Sequence, residues 1–180
     1  GLQIGVRGEV DSHELALGNA VLMTELGVDS KEVNVPAEKL RKSGASVMFL
    51  SIDGELAGFI AVADPIKAST PEALSAIQDA GWRVVMATGD SLTTARSVAQ
   101  ELGIEEVHGE VRPEDKAQLI TSLQAQGYRV AMAGDGINDA PALAAADVGV
   151  AMGTGTDIAM SSAQVTLVKG DLRGIIRALA

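Results

Sequence analysis

Residues 128–139 read YRVAMAGDGIND, an apolar run that leads into a loop of glycines and carboxylates. A short apolar run bounded by turn residues predicts a buried strand, here over residues 128–133. In sheets built from buried parallel strands, chemistry collects at the carboxyl ends of the strands. The stretch therefore predicts an α/β fold and places the loop from Gly134 to Asp139 at a functional edge of the sheet.

The chain from Asp64 onward repeats this alternation of strand and helix. Thr70-Pro71-Glu72 marks a helix start, with a capping hydroxyl, proline at the first position and an acid in the first turn. Strands that alternate with helices predict a parallel sheet with helices on both faces. The predicted strands are residues 83–87, 106–109, 128–133, 148–152 and 165–168, and the predicted helices are 70–80, 91–102, 113–126, 140–146 and a last helix from 171.

Residues 1–63 show a different, β-rich pattern with short helices, and we expect them to form a domain of their own before residues 64–180. Asp53-Gly54, between two apolar runs, is a strong signal for a two-residue hairpin. A second hairpin is predicted around Asp11-Ser12-His13. Pro36 fits the first turn of a short helix. This first region is small and is expected to lack part of its own sheet.

The composition excludes several classes of function. A net charge of −10 argues against nucleic-acid binding, which needs a basic face. The absence of cysteine excludes a disulfide framework and any thiolate metal site in these residues. No stretch approaches the roughly 20 apolar residues that cross a bilayer, and no signal peptide opens the chain. We therefore expect a soluble polypeptide with no nucleic-acid partner.

Three loops share the predicted functional edge: Thr88-Gly89-Asp90, the turn that carries Lys116, and the loop from Gly134 to Asp139. Asp135 and Asp139 can converge on Mg²⁺, which prefers hard oxygen ligands and leaves room for water and phosphate. The hydroxyl of Thr88 and free amides at a helix N-terminus suit phosphate oxygens, and Lys116 adds a cation. Together the three loops predict a phosphoryl-transfer site.

Each loop has a structural alternative when it is taken alone. The loop of residues 134–139 is then a turn with a capping aspartate, and residues 88–90 are a plain helix start. Lys116 is then a solvated surface lysine in a first helical turn, where a cation opposes the helix dipole. His13 and His108 are interpreted as polar residues at a loop and a strand end. The phosphoryl-transfer hypothesis depends on the three loops occurring together.

The motifs resemble those of the haloacid dehalogenase superfamily as they occur in P-type ATPases. Residues 88–90, Lys116 and residues 134–139 are similar to the second, third and fourth motifs of that superfamily. Asp64-Pro65-Ile66-Lys67 looks like the hinge of the heavy-metal class, where the nucleotide-binding domain rejoins the phosphorylation domain. Three further runs are similar to copper ATPases: Gly18-Asn-Ala-Val-Leu-Met23, Gly153-Thr-Gly-Thr-Asp157 and Val165-Thr-Leu-Val-Lys-Gly-Asp-Leu172.

For the predicted phosphorylation domain, the resemblance implies a role for each matching residue. Asp135 is expected to ligate Mg²⁺, with Asp139 at the same metal site and Asn138 in support. Thr88, in the motif with Gly89 and Asp90, is expected to hydrogen-bond the transferred phosphoryl group. Lys116 is expected to neutralise the charge that develops on that group.

For the predicted nucleotide-binding domain, the resemblance places ATP beside two short elements. Gly18 and Asn19 are expected to border adenine and ribose. Gly5 and Val6 resemble the second half of a glycine-x-glycine-hydrophobic element. Gln3 stands where that element has its first glycine, so a side chain occupies a place where backbone is expected to approach the nucleotide.

The chain departs from the family at its nucleophile. The family's phosphorylated aspartate lies in an Asp-Lys-Thr-Gly-Thr motif, and this sequence contains none: Asp115-Lys116 continues into Ala117. By the resemblance, the chain begins inside the nucleotide-binding domain and lacks the central strand that carries the nucleophile. The parallel sheet is then expected to have a gap between apolar edges. Either a preceding segment or another chain completes the sheet, or something in this chain fills the gap.

The function that the resemblance implies is that of a copper-exporting P-type ATPase. Such an enzyme uses ATP with Mg²⁺, forms an aspartyl phosphate and exports copper through a membrane domain, with this part at the cytoplasmic face. Alone, the chain is predicted to be inactive. Two alternatives stay open: a Mg²⁺-dependent phosphatase of the same superfamily, and a non-catalytic module that binds nucleotide or phosphate.

Overall fold

The computed structural model describes residues 5–153, 161, 165–167, 172 and 175. The chain divides into two compact units. Unit 1 combines Gly1–Pro65 with Asp90–Val98, and unit 2 combines Ile66–Gly89 with Ala99–Ala180. The functional domain boundary expected at residue 64 stays a prediction.

The described elements are numbered along the chain as follows: β1 (Gly5–Val10), β2 (His13–Gly18), α1 (Ala20–Glu25), α2 (Lys31–Arg41), β3 (Ser46–Ile52), β4 (Glu55–Val62), α3 (Thr70–Asp79), β5 (Val85–Ala87), α4 (Leu92–Leu102), β6 (Glu106–His108), α5 (Pro113–Ala125), β7 (Ala131–Gly134), α6 (Ala140–Ala145), β8 (Val148–Met152) and β9 (Val165–Leu167). A 3₁₀ turn, Ile137–Asp139, joins β7 to α6. Some sequence features lie outside the described residues: Gln3, residues 154–157 and most of the run from 168 onward, including most of the last predicted helix.

Unit 1 contains an antiparallel sheet in the order β1-β2-β3-β4. Asp11 and Ser12, between β1 and β2, have φ angles of 51° and 66°. Asp53 and Gly54, between β3 and β4, have φ angles of 51° and 79°. Positive φ at both central positions is what a type I′ hairpin turn requires. Both hairpins predicted from the sequence are therefore confirmed.

The two hairpin turns contact each other through His13 and Asp53. His13 Nδ1 lies 2.6 Å from one carboxylate oxygen of Asp53, and the Glu14 amide donates to the other at 2.8 Å. The hydrogen bond from His13, and next that from the Glu14 amide, hold the pKa of Asp53 below its ordinary value. His13, the polar first residue of β2, thus links two turns of the sheet.

The prediction that Pro36 begins a helix is wrong, because Pro36 lies inside α2. The start of α2 is fixed earlier, where the Asp29 carboxylate accepts a hydrogen bond from the Lys31 amide at 3.0 Å. A proline in the second turn removes one backbone donor and crowds the carbonyl four residues before it. Packing offsets that cost, since the next residue, Ala37, is fully buried in the core of unit 1.

The core of unit 1 lies between one face of the sheet and the two helices. Phe49 of β3 is 0% exposed and has the guanidinium of Arg41 5.4 Å from its ring centroid. Met23 of α1 is buried beside it in the same cluster, and so is Val47 of β3. Phe49 is the largest fully buried side chain of this cluster, and Phe59, partly buried, packs against it.

The first half of α4 packs within unit 1 through hydroxyl groups. Thr94 donates to the Ala45 carbonyl at 2.9 Å, and Ser97 donates to the Lys42 carbonyl at 2.9 Å. Thr94 is only 3% exposed, and a hydroxyl is tolerated at that depth because it has its hydrogen bond. Sequence periodicity did not indicate this packing, which depends on residues about fifty positions apart.

Unit 2 is a mixed helix and strand unit whose strands pair in parallel, as predicted. β5 pairs with β6, and β8 pairs with both β7 and β9. Glycines with positive φ follow three of its helices, as the sequence indicated: Gly81, Gly103 and Gly127 have φ angles of 86°, 66° and 92°. A left-handed residue after the last turn is the common way to end a helix.

The parallel strands form two separate sheets rather than one continuous sheet. Within the described residues, β5-β6 and β7-β8-β9 share no ladder. A groove of about 470 Å³ lies between them and is lined by β5 and the residues before it, by β7 and the residues before it, and by apolar side chains of α3 and α5. The core of unit 2 is divided as well, with one buried cluster around Leu74 and another around Ile120. The gap expected from the sequence is therefore present as an apolar groove.

Within the described part of the chain, none of the helices combines the length and the apolar character needed to span a bilayer.

Replacing Phe49 with alanine should lower the free energy of unfolding by about 3–5 kcal/mol, because a fully buried ring leaves a cavity in unit 1. Urea titration followed by circular dichroism measures the change. Val35→Ala is the matched control, since Val35 is 79% exposed, and it should shift the value by less than about 0.5 kcal/mol. Equal effects of the two changes would contradict the core described here.

Candidate functional site

The loop after β7 is organised around the carboxylate of Asp139. One oxygen, Oδ2, accepts hydrogen bonds from the amides of Asp135 at 3.3 Å and Gly136 at 3.2 Å. Asp139 is 7% exposed, so its charge is largely removed from water. A buried carboxylate is stable only when donors surround it, and the loop amides supply part of that need.

Gly134 makes room for this arrangement. A Cβ at this position would lie 2.7 Å from Asp139 Oδ2 and 2.8 Å from its Cγ, closer than real contacts allow. A glycine in such a loop can let backbone approach a ligand closely. For Gly134 the structure gives a second reason, which is that the Asp139 carboxylate occupies the space of a side chain.

Lys116 completes the environment of Asp139. Its Nζ donates to Asp139 Oδ1 at 2.7 Å, and the two side chains are 16% and 10% exposed. Lys116 lies in the first turn of α5, where its amide bonds the Arg112 carbonyl at 3.1 Å. The ammonium is therefore a largely buried, paired cation. The alternative of a solvated surface lysine is wrong.

Thr88 is fixed by its backbone at the end of β5. Its amide donates to the His108 carbonyl at 3.0 Å, and its carbonyl accepts from the Val111 amide at 2.9 Å. These bonds continue the β5-β6 pairing beyond the last strand residues. Gly89, which follows, is exposed, and a Cβ there would meet only the Val111 carbonyl at 3.8 Å. Packing therefore does not require glycine at position 89.

Residues beside each predicted loop line the groove. Lys116 lines it directly, and so do Ala87 and Ala133, which directly precede Thr88 and Gly134. Asp135 and Asn138, in the loop after β7, are exposed. Asp90 is different, since it belongs to unit 1 and accepts a hydrogen bond from the Ser46 hydroxyl at 2.5 Å.

The four residues expected to contact nucleotide are neighbours in unit 1. Gly5 lies opposite Gly18 across the β1-β2 ladder, and Val6 lies opposite Leu17. A side chain at Gly5 would overlap the Leu17 carbonyl and the Leu22 side chain. Asn19 caps α1, because its side-chain oxygen accepts from the Leu22 amide at 3.1 Å. Glycine at position 5 thus lets β1, β2 and the Leu22 side chain pack closely, next to the exposed Asn19.

Known proteins resemble this chain throughout its length. Two family models, each described as haloacid dehalogenase-like hydrolase, match residues 3–147 and 116–179. The chain belongs to the haloacid dehalogenase-like hydrolases. It is 55% identical to a copper-transporting P-type ATPase of Rhizobium leguminosarum bv. viciae and 52% identical to a silver exporting P-type ATPase of Salmonella typhimurium, each over 174 residues. Each match covers 97% of this chain but 21% of the relative, so the chain spans about a fifth of their length.

Solved structures show the same relationship. The catalytic domain of the CPx-ATPase CopB-B superposes with a TM-score of 0.76 at 30% identity, over 98% of this chain and 61% of that one. A zinc-transporting PIB-type ATPase in the E2.Pi state superposes with a TM-score of 0.66 at 32% identity, over 98% of this chain and 28% of that one. The resemblance to P-type ATPases of the copper-exporting type and the haloacid dehalogenase-like α/β fold are confirmed.

The oxygen groups at the edge of this haloacid dehalogenase-like unit suit Mg²⁺. Asp135 is exposed beside the groove, whereas Asp139 already has Lys116 and two amides as partners. Within the described residues, no group of three His, Cys, Asp or Glu side chains could hold a metal ion. A sparse set of hard oxygens fits Mg²⁺, which keeps several waters and takes substrate phosphate oxygens as ligands.

Sequence reasoning missed Asp147 as an organising residue of the same unit. Its Oδ2 accepts from the Val130 amide at 2.8 Å and from the Gln124 side chain at 3.1 Å. The Val130 amide above all, and then Gln124, hold the pKa of Asp147 below its ordinary value. Asp147 thereby joins the end of α5 to the residues that lead into β7. An aspartate between a predicted helix and a predicted strand was the available signal.

Gly134→Ala should destabilise unit 2 by about 1–3 kcal/mol, because the new methyl group displaces the Asp139 carboxylate and strains the loop. Gly89→Ala, which adds the same methyl group at the other loop, should change the unfolding free energy by less than about 0.5 kcal/mol. Urea titration of both variants tests this contrast. A Gly89→Ala variant that loses as much stability as Gly134→Ala would overturn the steric account.

Proposed function

We propose that this chain is the ATP-binding and phosphorylation part of a copper-exporting P-type ATPase, working at the cytoplasmic face of a membrane. The observation that carries the proposal is the buried Lys116–Asp139 pair at the end of the groove, beside the exposed carboxylate of Asp135. The 55% identity to a copper-transporting relative supports the choice of transported metal. Copper itself would pass through membrane segments that are not among these 180 residues.

In this proposal, unit 2 holds the phosphoryl group of ATP at the edge of the groove. The Thr88 hydroxyl and the backbone amide of Gly89 are the hydrogen-bond donors, and Lys116 balances charge on the phosphoryl oxygens. Asp135 would hold Mg²⁺, with Asn138 in support, and the ion would neutralise phosphate charge when bound. Asp139 acts in this scheme through Lys116 and the loop amides, which it holds in place.

The nucleophile enters with an extended segment that fills the groove. β5 and β7 run in the same direction in this scheme, since the residues that precede them meet: the Arg83 guanidinium lies 5.3 Å from the ring centroid of Tyr128. Each strand has an open edge toward the groove, and an apolar strand buried on both faces is the element that fits between parallel strands. A strand parallel to both would end at Lys116. An aspartate directly after it would then stand at the phosphoryl site.

Phosphoryl transfer at this position is a substitution at phosphorus. A carboxylate oxygen of the entering aspartate bonds to the γ-phosphorus, and the bond to the ADP oxygen breaks. The product is an aspartyl phosphate, and the bond electrons leave with ADP. Lys116 is held by Asp139 and needs no reorganisation as charge moves across the γ-phosphoryl oxygens, which is the condition for efficient electrostatic stabilisation.

Unit 1 supplies the nucleotide contact in this proposal. Gly5 and Gly18 are cross-strand neighbours at the start of α1, and Gly5 is partly exposed there beside the exposed Asn19. Val6, 58% exposed, offers an apolar surface, and Asn19 offers its exposed amide. Apolar surface with a few polar groups is typical of sites for nucleotide-sized ligands.

The strand proposal can be tested by adding the missing piece. With Mg²⁺ and labelled ATP, the chain alone should form no hydroxylamine-sensitive phosphoprotein. With a peptide that carries an apolar run followed by Asp-Lys-Thr-Gly-Thr, the label should appear on the peptide. Lys116→Ala should slow labelling on the order of 10²-fold, because a preorganised charge partner is lost. Lys31→Ala removes an ammonium that is 86% exposed in unit 1, and it should leave the rate unchanged.

Three results would contradict this proposal. Stoichiometric label on the chain without peptide would make it a phosphatase-like enzyme with its own nucleophile. Equal labelling rates for Lys116→Ala and Lys31→Ala would remove Lys116 from the phosphoryl site. Peptide that binds but never becomes labelled would favour a non-catalytic binding module.

The nucleotide contact can be separated from the capping role of Asn19. Asn19→Ser retains a side-chain oxygen that caps α1, whereas Asn19→Ala removes it and should cost about 1 kcal/mol of stability. If Asn19 also hydrogen-bonds ATP, Asn19→Ser should weaken ATP binding about three- to tenfold, with the unfolding midpoint unchanged. Equilibrium dialysis with labelled ATP measures the affinity. Unchanged ATP affinity in Asn19→Ser would leave Asn19 as a helix cap only.

A further inference from the structure

The two walls of the groove begin with similar sequences. Gly81-Trp82-Arg83-Val84 follows α3 and leads into β5, and Gly127-Tyr128-Arg129-Val130 follows α5 and leads into β7. Trp82 and Tyr128 are the only tryptophan and the only tyrosine in the sequence, and both line the groove at its amino-terminal mouth. They are 38% and 49% exposed. The mouth of the groove is therefore built twice from the same pattern of glycine, aromatic residue and arginine.

The two arginines make different contacts in spite of this repetition. Arg83 donates through Nε to Glu106 of β6 at 2.8 Å, and its Nη2 contacts the same oxygen. The same guanidinium lies 5.3 Å from the ring centroid of Tyr128, which leads into β7. Arg129 instead interacts electrostatically with Asp147, and it is one of the smaller causes that lower the pKa of that carboxyl group. Arg83 thus contacts both sides of the groove, and Arg129 provides its natural comparison.

A side-chain contact across the mouth matters because, in the part of the chain that the structure describes, no strand pairing joins the two walls. Within the described residues the walls share no backbone ladder, and their buried side chains form separate clusters around Leu74 and Ile120. The spacing between β5 and β7 therefore depends on side chains. A change of spacing at the mouth tilts the walls, and with them the loops that begin at Thr88 and Gly134.

We propose that Arg83 is a positioning residue that braces the mouth of the groove between Glu106 and Tyr128, so that the two walls keep the spacing of one inserted strand. This inference rests on the proposed function, in which a strand enters the groove. Arg83 touches neither nucleotide nor phosphoryl group, and its effect on them passes through the walls.

The chemistry of arginine suits this role. The guanidinium is planar and can donate in its plane to a carboxylate while one face lies on an aromatic ring. A lysine at this position can pair with Glu106 but offers no planar face to Tyr128. His108 also contacts Glu106, at 3.2 Å, so the carboxylate is held from two sides and keeps Arg83 in place. An isolated surface ion pair contributes little to stability. Arg83 therefore acts through where its contacts reach, from one wall to the other, rather than through their strength.

The brace can be measured without any added peptide. The sequence has no cysteine, so spin labels can be attached at Glu101→Cys on α4 and Thr121→Cys on α5, both exposed and both in unit 2. Arg83→Ala should broaden the distribution of distances between the labels, because the walls lose their contact at the mouth. Arg129→Ala, the matched control, should leave the distribution unchanged. Equal distributions in the Arg83→Ala and unmodified chains would overturn the brace.

Peptide binding provides the second readout. Trp82 lines the groove, so its fluorescence should shift to shorter wavelength when a strand peptide ending in Asp-Lys-Thr-Gly-Thr binds. Arg83→Ala and Arg83→Lys should raise the Kd about tenfold, which corresponds to about 1.4 kcal/mol, whereas Arg129→Ala should not change it. Tyr128→Phe keeps the ring face and should bind normally, while Tyr128→Leu should match Arg83→Ala.

The outcomes separate this inference from the proposed function. If the unmodified chain binds no peptide, the strand proposal fails, and the label distances alone decide whether Arg83 braces the walls. If peptide binds and Arg83→Lys or Tyr128→Leu binds as tightly as the unmodified chain, the brace is wrong and the strand proposal stands. A lower unfolding midpoint in Arg83→Ala with unchanged Kd and unchanged label distances would make Arg83 a stabilising surface residue only, and the brace would be rejected.

Discussion

The buried pairing of Lys116 with Asp139 connects two parts of unit 2 that are far apart in the sequence. It joins the first turn of α5 to the loop after β7, and through the amides of Asp135 and Gly136 it fixes the shape of that loop. A charged pair at this depth is stable only when both members keep their partners. The geometry of the loop, the space reserved by Gly134 and the position of the ammonium are therefore one arrangement, and changing one member disturbs the others.

The groove follows from a second constraint, which is that parallel strands need neighbours on both sides. β5 and β7 each have one hydrogen-bonded neighbour within the described residues and face each other across apolar side chains. The loops that follow these strands carry the polar residues of the site. A single extended segment in the groove would complete the sheet and also deliver a residue to the site, so in the proposed function folding and chemistry depend on the same piece of chain.

The fold of unit 1 depends on local turns, whereas its candidate nucleotide site depends on residues that pair across two strands. The type I′ turns set the register of both hairpins, and that register places Gly5 opposite Gly18. The core around Phe49 then fixes the helices on one face of the sheet. The placement of the two glycines beside the exposed Asn19 is a consequence of register and capping together.

Much of this could be predicted from the sequence by itself, because it depends on neighbouring residues. The hairpin at Asp53-Gly54, the helix end at Gly127 and the order of strands and helices follow from local backbone preferences. The motifs also predicted the three loops of the candidate site. Tertiary structure alone decided that Pro36 lies inside α2, since core packing of Ala37 outweighs a local preference. It also decided that Asp139 takes a lysine 23 residues away as its partner, and that Arg83 rather than Arg129 spans the groove. These choices depend on which side chains meet after the chain has folded, and no local pattern encodes them.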